Sequence, residues 1–597
     1  MTISRRRVVA ALGTTALVPF MQVSAAAQTP PQSAADRSFA TLSHNYLDRS
    51  MRLSPVYATQ VGDHRFDSDL DDMSAAGRNA GLRFAHQTLT ALGRINKAQL
   101  SRANQVDALI LENALRQQIW STEVNQSWAW NPLNYQGVAG GAVYNLMARE
   151  FAPVTTRLEA ATARMEKIPR LLQQARQELV PSRVPQPYAD TYVAQNQGLK
   201  SLVTDMIDPV KDQLTGAKRA RLDAAITTYN NAIDEHQAWI TQTLVPAAQA
   251  DFRAGAEAFD QQLAFTLMSP LSRAEIRQRA DAAVITVRQK MYEVSKQALA
   301  GRAGAPPTPD NPSAEQQQAA IRAALDIAAA ERPPRAQLVE VAMQGVNEAQ
   351  AFVQQHDLIT LPDGPVRVIL MPEFQRGFSV AYCDSPGPLD RNLATFYAVS
   401  PIPDDWSDEQ ATSFLREYNT RGVLDIGVHE AMPGHYVQIW HSNSYPSTLR
   451  AVLGSGSFIE GWAVYAEEMM PEQGFRANDP LYRLCQLKVQ LRTVTNAILD
   501  QAIHCDGMSR DDAMHLMTQV AFQEEREAAG KWRRAQLSFT QLSTYFVGFS
   551  EHMETRAEVM RREGANFNLK RYHDGILAFG SPPGRFARQL LLDEPIQ

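Results

Sequence analysis

The stretch His429-Glu430-Ala431-Met432-Pro433-Gly434-His435 brings two imidazoles and a carboxylate close together in the chain. Zinc prefers imidazole nitrogen and carboxylate oxygen, and a catalytic zinc site has three protein ligands and one open position. In H-E-x-x-H proteases the glutamate that follows the first histidine accepts a proton from water. The stretch therefore predicts half of a catalytic Zn²⁺ site, with His429 and His435 as ligands and Glu430 as the general base.

The spacing of the two histidines is wider than in that motif. Ligands at positions i and i+4 share a helix face, whereas six helical steps of roughly 100° place the His435 ring roughly 120° away from the His429 ring. Pro433 removes a helix donor and Gly434 relaxes the backbone, so the chain can deviate from a regular helix here. We therefore expect a helix that is distorted at Pro433. The alternative is two unrelated histidines on either side of a helix break.

The third metal ligand is predicted to be Glu460, in the segment Ser457-Phe458-Ile459-Glu460-Gly461-Trp462. The residues between His435 and Glu460 are enough for a loop and a returning helix that packs beside the first. Glu467 follows seven residues later, on nearly the same helix face, and is expected to orient a ligand imidazole. The alternative is a capping box, because Ser457-x-x-Glu460 also has the pattern that satisfies a helix N-terminus.

The fold is predicted to be mainly α. Residues 28–310 form an N-terminal helical region, because apolar residues recur there at intervals of three and four, and a proline-rich stretch at residues 304–313 suggests a boundary. Residues 311–597 form the catalytic region, in which Ser407-Asp408-Glu409-Gln410 predicts the start of another helix. Helices are also expected at residues 314–330 and 335–356.

Three short segments before the histidine stretch differ from this helical pattern. Residues 366–370, 378–382 and 394–399 are rich in β-branched and aromatic side chains and are separated by turn residues, so they predict a small β-sheet next to the metal-binding helix. An extended substrate could bind to the edge of such a sheet through main-chain hydrogen bonds. The alternative is a sheet that only packs against the helix.

The first 27 residues are typical of a twin-arginine export signal. Ser4-Arg5-Arg6-Arg7 precedes an apolar run, and Ala25-Ala26-Ala27 supplies small residues for cleavage, which indicates a periplasmic or secreted protein. No later segment is apolar enough for a stable membrane span. Removal of the three arginines changes the net charge from −6 to −9, and a mildly acidic chain gives no support for nucleic-acid binding. The three cysteines allow at most one disulfide.

The motif residues resemble one known family. His429-Glu430, Pro433-Gly434-His435, Glu460-Gly461-Trp462 and Tyr572-His573-Asp574 are similar to segments of the bacterial domain of unknown function 885 (DUF885) family, whose members resemble zinc metallopeptidases. The resemblance covers residues 371–597, and the N-terminal half fits loosely. It implies a large helical zincin-like body, similar to thimet oligopeptidase and Taq carboxypeptidase, that forms a cleft over the metal.

A peptidase also needs a donor for the oxyanion that develops during hydrolysis. Tyr545 is the first choice, because thimet-type peptidases use a late tyrosine in a similar aromatic and glycine-containing context, and His573 is the second. The alternative for each is an ordinary core residue. Arg492, Arg533 and Arg534 are the right type of side chain to bind a substrate carboxylate, although solvated arginines are more common.

The sequence thus predicts an exported zinc metallopeptidase that hydrolyses short peptides. Two alternatives stay open, a zinc hydrolase of non-peptide amides or esters and a non-catalytic helical binding protein. Retention of Glu430 argues against the second alternative, because a simple binding site has no need for a base. The sequence gives no indication of the oligomeric state.

Overall fold

The computed structural model of the protein describes residues 33–376, 380–390 and 392–597, and the predicted export signal lies outside them. The fold is mainly α with one small sheet, as predicted. Within this part of the chain the α-helices up to the proline-rich stretch are α1 (Ala34–Leu53), α2 (Pro55–Gln60), α3 (Ala75–Gly93), α4 (Arg102–Trp120), α5 (Ser127–Trp130), α6 (Leu133–Met147), α7 (Val154–Met165), α8 (Ile168–Glu178), α9 (Gln186–Gly198), α10 (Gly216–Trp239), α11 (Val245–Ala247), α12 (Ala256–Leu267) and α13 (Arg273–Leu299).

The remaining part is also helical except for the three strands. Its helices are α14 (Ala314–Ala330), α15 (Leu338–Gln355), α16 (Asp408–Glu417), α17 (Thr420–Glu430), α18 (His435–Asn443), α19 (Thr448–Val452), α20 (Gly456–Glu472), α21 (Pro480–Cys505), α22 (Arg510–His515), α23 (Glu525–Gln536), α24 (Gln541–Glu563), α25 (Leu569–Leu577) and α26 (Gly584–Leu591). The strands are β1 (Val366–Leu370), β2 (Ala381–Asp384) and β3 (Thr395–Val399).

Several helix starts follow from local sequence chemistry. The serine side chains of four capping boxes accept a hydrogen bond from the third helical residue, whose own side chain accepts one from the serine backbone; these serines are Ser33, Ser272, Ser313 and Ser407. Each box satisfies backbone donors that would otherwise lack a partner at the helix terminus. The helix predicted at residues 314–330 and the helix predicted to start at Ser407 are both confirmed, and each begins at one of these capping boxes.

The sheet lies between α15 and the histidine stretch. Its strand order is β1-β3-β2, with β3 parallel to β1 and antiparallel to β2, so β2 is an edge strand. The predicted strands at 366–370 and 394–399 are confirmed to within one residue. Strand β2, predicted at 378–382, begins at Ala381, and residues 378 and 379 of the predicted segment lie outside the described residues.

The hydrophobic core crosses the proposed boundary near residue 310. Side chains of α12 and α13 pack in one cluster with those of α14 and α21. A second cluster joins α15, the sheet, α17, α18 and α20. The long helix α21 belongs to the first cluster and its Tyr482 to the second, so α21 connects the site helices to the N-terminal region. The division into two regions stays a prediction.

Two further expectations concern membrane-spanning helices and disulfides. In residues 33–376, 380–390 and 392–597, no helix is both long enough and apolar enough to cross a bilayer. Cys383, Cys485 and Cys505 are free thiols. Cys485 and Cys505 both lie on α21, twenty positions apart, where a rise of about 1.5 Å per residue separates them by about 30 Å.

Candidate metal centre

The two motif histidines lie on consecutive helices rather than on one distorted helix. Helix α17 ends at Glu430 and α18 begins at His435, so the predicted distortion at Pro433 is a complete break. The N–H of Gly434 donates to the carbonyl of Val428 at 2.9 Å, and the buried indole of Trp462 donates to the carbonyl of Pro433, also at 2.9 Å. These bonds hold the connecting segment against α17 and α20, and they turn α18 back towards the end of α17.

The break brings the two imidazoles together. The ring centroids of His429 and His435 are 4.7 Å apart with an interplanar angle of 88°. One potential ligand atom from each of His429, Glu430 and His435 lies within 4.8 Å of the other two. The carboxylate of Glu460 on α20 joins them, because its Oε2 lies 3.7 Å from Nε2 of His429 and 3.4 Å from Nε2 of His435.

Glu460 does not cap the helix that carries it. Helix α20 begins at Gly456, and its N-terminus is capped by Ser455, whose hydroxyl accepts from the N–H of Phe458. The Ser457-x-x-Glu460 pattern therefore does not act as a capping box. Glu460 lies one turn into the helix, and its Oε2 is buried with no hydrogen-bond partner in the described part of the chain.

The donor set fits a zinc ion. For ligand bonds of about 2.0–2.2 Å, tetrahedral geometry separates two ligand atoms by about 3.3–3.6 Å. The 3.4 Å between Glu460 Oε2 and Nε2 of His435 falls in that range, and the 3.7 Å to Nε2 of His429 lies just above it. Both separations are longer than an ordinary N–H···O bond of about 2.9 Å. Two imidazoles and one carboxylate also form a ligand set found in catalytic zinc sites.

The electrostatic potential at this point is negative. Burial disfavours the charged form of His429, but the nearby carboxylates of Glu460 and Glu467 outweigh that effect and raise its pKa well above the ordinary value. Burial likewise opposes ionisation of Glu460, yet His429 and His435 hold its pKa well below the ordinary value. The same surroundings that favour an added proton on His429 also favour a bound cation.

Glu467 lies behind His429. Its Oε1 is 2.5 Å from Nδ1 of His429, which leaves Nε2 directed towards Glu460, so the predicted contact with the His429 imidazole is present.

Asp425, one turn before His429 on α17, was not predicted to belong to the site, although its i−4 position was a usable signal. It accepts from Tyr482, and burial together with the charge of Glu467 raises its pKa well above the ordinary value.

Glu430 is the last residue of α17, and it lines the cavity into which His429 and His435 also face. Its Oε2 is buried and has no hydrogen-bond partner among the described residues. Burial raises the pKa of Glu430, and the neighbouring His429 and His435 only partly offset that increase. A carboxylate with a raised pKa is better suited to accept a proton near neutral pH than an ordinary one.

Tyr545 reaches the site because α24 crosses α20 at very short distance. A Cβ on Gly461 would lie 2.2 Å from the backbone of Gly548, and one on Gly548 would lie 1.8 Å from the carbonyl oxygen of Ser457. Only glycine permits this contact between the helix backbones. The crossing places Tyr545, one turn before Gly548, with its ring centroid 6.5 Å from that of His429.

The hydroxyl of Tyr545 accepts from Arg534 Nη2 at 2.8 Å and from Gln541 Nε2 at 3.1 Å. Because both lone pairs are engaged, its proton is available for donation into the cavity. Burial raises the pKa of Tyr545 even though Arg534 acts in the opposite direction, so the phenol stays protonated. The first choice for an oxyanion donor is therefore brought to the site.

The second choice, His573, is not brought there. It is fully buried behind Trp462 and is absent from the cavity lining. Its Nδ1 is 2.7 Å from the carbonyl of Leu358 and its Nε2 is 2.7 Å from the hydroxyl of Tyr465. Burial lowers its pKa to about 4. His573 is a hydrogen-bonded core residue, because packing of α25 against α20 takes its ring away from the cavity.

A cavity of about 1080 Å³ extends from the two histidines. Edge strand β2 forms part of its wall, Ala194 and Gln195 of α9 close it from the N-terminal region, and Arg492, Arg533 and Arg534 also line it. The three arginines singled out in the sequence are thus cavity residues. Arg526 and Lys531 belong to the same wall and were not predicted, because their positions in α23 carry no distinctive motif.

Comparisons with known proteins concern nearly the whole chain. The sequence profile of a family described as "Bacterial protein of unknown function (DUF885)" matches residues 55–591, so the resemblance extends far beyond residues 371–597. A solved structure of a candidate lipoprotein of unknown function from Shewanella oneidensis is 33% identical, with 93% of this chain and 99% of that chain covered and a TM-score of 0.75.

A candidate lipoprotein from Colwellia psychrerythraea has the same coverage and TM-score at 17% identity, which is a likeness of fold alone. No curated protein matches this chain significantly.

Proposed function

The chain belongs to the DUF885 family of bacterial proteins of unknown function, and we propose that it is an exported zinc-dependent peptidase that hydrolyses short peptides. The observation that carries the proposal is the placement of Glu460 Oε2 between the Nε2 atoms of His429 and His435. These three side chains would hold the metal. Glu467 would keep the imidazole of His429 in the orientation that ligation requires.

When bound, zinc would act as a Lewis acid and lower the pKa of a water molecule at the site. Glu430 would accept the proton of that water and return it to the leaving amine. Its burial, its raised pKa and the unpartnered Oε2 support this role. Tyr545 would donate a hydrogen bond from its hydroxyl to the developing oxyanion, while Arg534 and Gln541 keep that hydroxyl aimed at the cavity.

Strand β2 supports a peptide as the substrate in preference to other amides or esters. It is an edge strand, and Ala381, Tyr382 and Cys383 line the cavity that contains the histidines. An extended peptide can form main-chain hydrogen bonds with such an edge, as many peptide-binding proteins do. The resemblance implies a zincin-like body, in which helices would enclose the metal, and here the helices that carry His429, His435 and Glu460 lie next to a small sheet.

Export is the second part of the proposal. The twin-arginine type sequence at residues 4–7 supports it. The related proteins from Shewanella oneidensis and Colwellia psychrerythraea are both described as candidate lipoproteins, which is a class of exported protein.

Two variants test the catalytic proposal. Glu430→Gln is expected to keep one equivalent of zinc and to lose about 10²–10⁴-fold in turnover of a peptide library, because it removes the base and no ligand. His435→Ala is expected to lose the zinc. His441→Ala is the matched control for the second variant, since His441 lies on the same helix but bonds to the carbonyl of Thr360.

Metal content and peptide digestion, with and without chelator, provide the measurement. Zinc loss in Glu430→Gln would indicate that Glu430 binds the metal and does not act as the base. Peptide hydrolysis that withstands chelation, or full activity in Glu430→Gln, would refute the proposal.

A further inference from the structure

The cavity has one strongly basic wall. Its cationic side chains come from α21 and α23, and this group is called the basic wall below: Arg492, Arg526, Lys531, Arg533 and Arg534. The metal-facing part of the same cavity carries the carboxylates of Glu430, Glu460 and Glu467. The cavity is therefore polarised, with its negative end at the histidines and its positive end at α23.

Few carboxylates neutralise the basic wall. Glu527 is 3.6 Å from Arg492 and 3.9 Å from Lys531, and it also accepts from Tyr418. No carboxylate of the described residues forms an ion pair with the other three cations. Arg526 stacks over Trp406 at 4.0 Å, Arg533 donates to Thr191 at 3.3 Å, and Arg534 donates to Gln541 and Tyr545.

The clustering of these cations opposes the charged form of Lys531 in the free protein. Cations that share a partly buried wall repel one another, and desolvation adds to the cost. Burial, reinforced by Arg534 and Arg492, lowers the pKa of Lys531 to about 7. A bound anion would relieve this repulsion, and planar guanidinium groups are well suited to carboxylates.

The basic wall lies within a short distance of the metal centre. The ring centroid of Tyr545 is 6.5 Å from that of His429, and the guanidinium carbon of Arg534 is 5.8 Å from the Tyr545 ring. An extended peptide advances by about 3.3–3.6 Å per residue. A carboxylate bound at Arg534 and a peptide bond at the histidines are therefore separated by fewer than about four residues.

We propose that the basic wall binds the C-terminal carboxylate of the substrate, so that the protein cleaves peptides within about three residues of their C-terminus. This inference rests on the proposed peptidase function. The free amino terminus of a peptide is cationic and is repelled by the basic wall, which fixes the direction of binding. Substrates are therefore short peptides with a free carboxylate, and cleavage in the middle of a long chain is excluded.

Hydrolysis of a matched pair of peptides tests the proposal. N-acetyl-tetra-alanine and its C-terminal amide differ only in the terminal charge, and alanine supplies no other anion. The acid is expected to be cleaved with at least about tenfold higher kcat/KM than the amide, and Arg533→Gln is expected to remove most of this preference. Arg533→Lys keeps the charge and should retain part of it. Arg277→Gln, an arginine of α13 that pairs with Asp281 outside the cavity, is the matched control.

A binding measurement separates this inference from the peptidase proposal. Calorimetric titration of both peptides into Glu430→Gln, with and without Arg533→Gln, needs no turnover. If neither peptide is cleaved by the wild type but the acid still binds at least about tenfold more tightly than the amide, and Arg533→Gln removes this difference, the basic wall is supported and the peptidase proposal fails.

Equal affinity for acid and amide would overturn the inference. So would a preference for the acid that is unchanged in Arg533→Gln, Arg526→Gln and the double variant, because the carboxylate would then be held elsewhere, for example by the metal.

Discussion

Gly434 lies directly against the backbone of His429: a Cβ at residue 434 would come within 1.8 Å of the His429 carbonyl oxygen. It would also lie 2.4 Å from the carbonyl oxygen of Val428. The chain thus folds back onto the last turn of α17 before α18 begins. This contact lets histidines six positions apart face one carboxylate, which a continuous helix does not allow.

Gly434→Ala is therefore expected to disrupt the metal centre. The atoms in the way are helix backbone and cannot move aside as a flexible side chain would, so α18 must shift and His435 with it. We expect the variant to lose zinc or to be destabilised by more than about 2 kcal/mol. Metal analysis and denaturant unfolding provide the measurement. Gly456→Ala is the control, because a Cβ there meets no atom within 4 Å; normal zinc binding and stability in Gly434→Ala would contradict the prediction.

Glu467→Gln is expected to weaken zinc binding without abolishing it. The carboxylate bonds to Nδ1 of His429 at 2.5 Å, and such partners of ligand histidines contribute about 10–100-fold to metal affinity. Competition with a zinc chelator of known affinity measures the change. Glu472→Gln on the same helix, which pairs with Arg556, is the control. An unchanged zinc affinity in Glu467→Gln would show that His429 needs no such partner.

Tyr545→Phe is expected to lower kcat by about 10²–10³-fold, with zinc content unchanged and little change in KM, because the hydroxyl acts on charge that develops only during the reaction. Steady-state kinetics on a cleaved peptide provide the test. Tyr229→Phe is the control, since that buried hydroxyl only donates to the carbonyl of Leu199. If Tyr545→Phe raised KM at constant kcat, the hydroxyl would serve substrate binding instead.

Glu551→Gln is expected to stabilise the protein at pH 8 and to leave stability at pH 4 nearly unchanged. Burial between α24 and α26 raises the pKa of Glu551 from 4.5 to about 7. A carboxyl with a raised pKa binds its proton more readily in the folded state, so its cost to stability is absent below pH 4.5 and complete above pH 7. At about 1.4 kcal/mol per pKa unit, the gain at pH 8 is at most about 3.5 kcal/mol.

Urea unfolding at the two pH values measures this gain. Glu554→Gln, whose side chain is 56% exposed on the same helix, should change stability by less than about 0.5 kcal/mol. A gain that is equal at pH 4 and pH 8 would exclude protonation of Glu551 as its cause.

Local chemistry explains which features the sequence could predict. The capping boxes at Ser313 and Ser407 act within one helical turn, and the β-branched run at 366–370 needs only its own pattern to indicate a strand. The pairing of Glu467 with His429 also followed from local rules, since Glu460 and Glu467 share one face of α20. These interactions depend on residues that are close together in the chain or on one regular element.

The errors arose where distant elements meet. His573 has the residue type of a catalytic donor, but the packing of α25 gives both of its nitrogens to Leu358 and Tyr465. The sequence predicts only a distorted helix at Pro433, whereas the structure has a complete break at residues 431–434. The hydrogen bond that holds this break comes from Trp462 on α20, which local sequence rules do not reveal. Arg526 and Lys531 were missed because α23 by itself does not reveal which of its faces lines the cavity.

The sequence alone determined the helical class and the small sheet, and it supplied the imidazole and carboxylate donors of the candidate metal centre, since these follow from hydrophobic periodicity, capping residues and donor types. Only the tertiary structure decided that α17, α18, α20 and α24 bring His429, His435, Glu460 and Tyr545 together, and that α23 presents its cationic side chains to the same cavity. The physical reason is that side-chain direction across helices depends on backbone contacts, such as those of Gly461 with Gly548, between residues far apart in the chain.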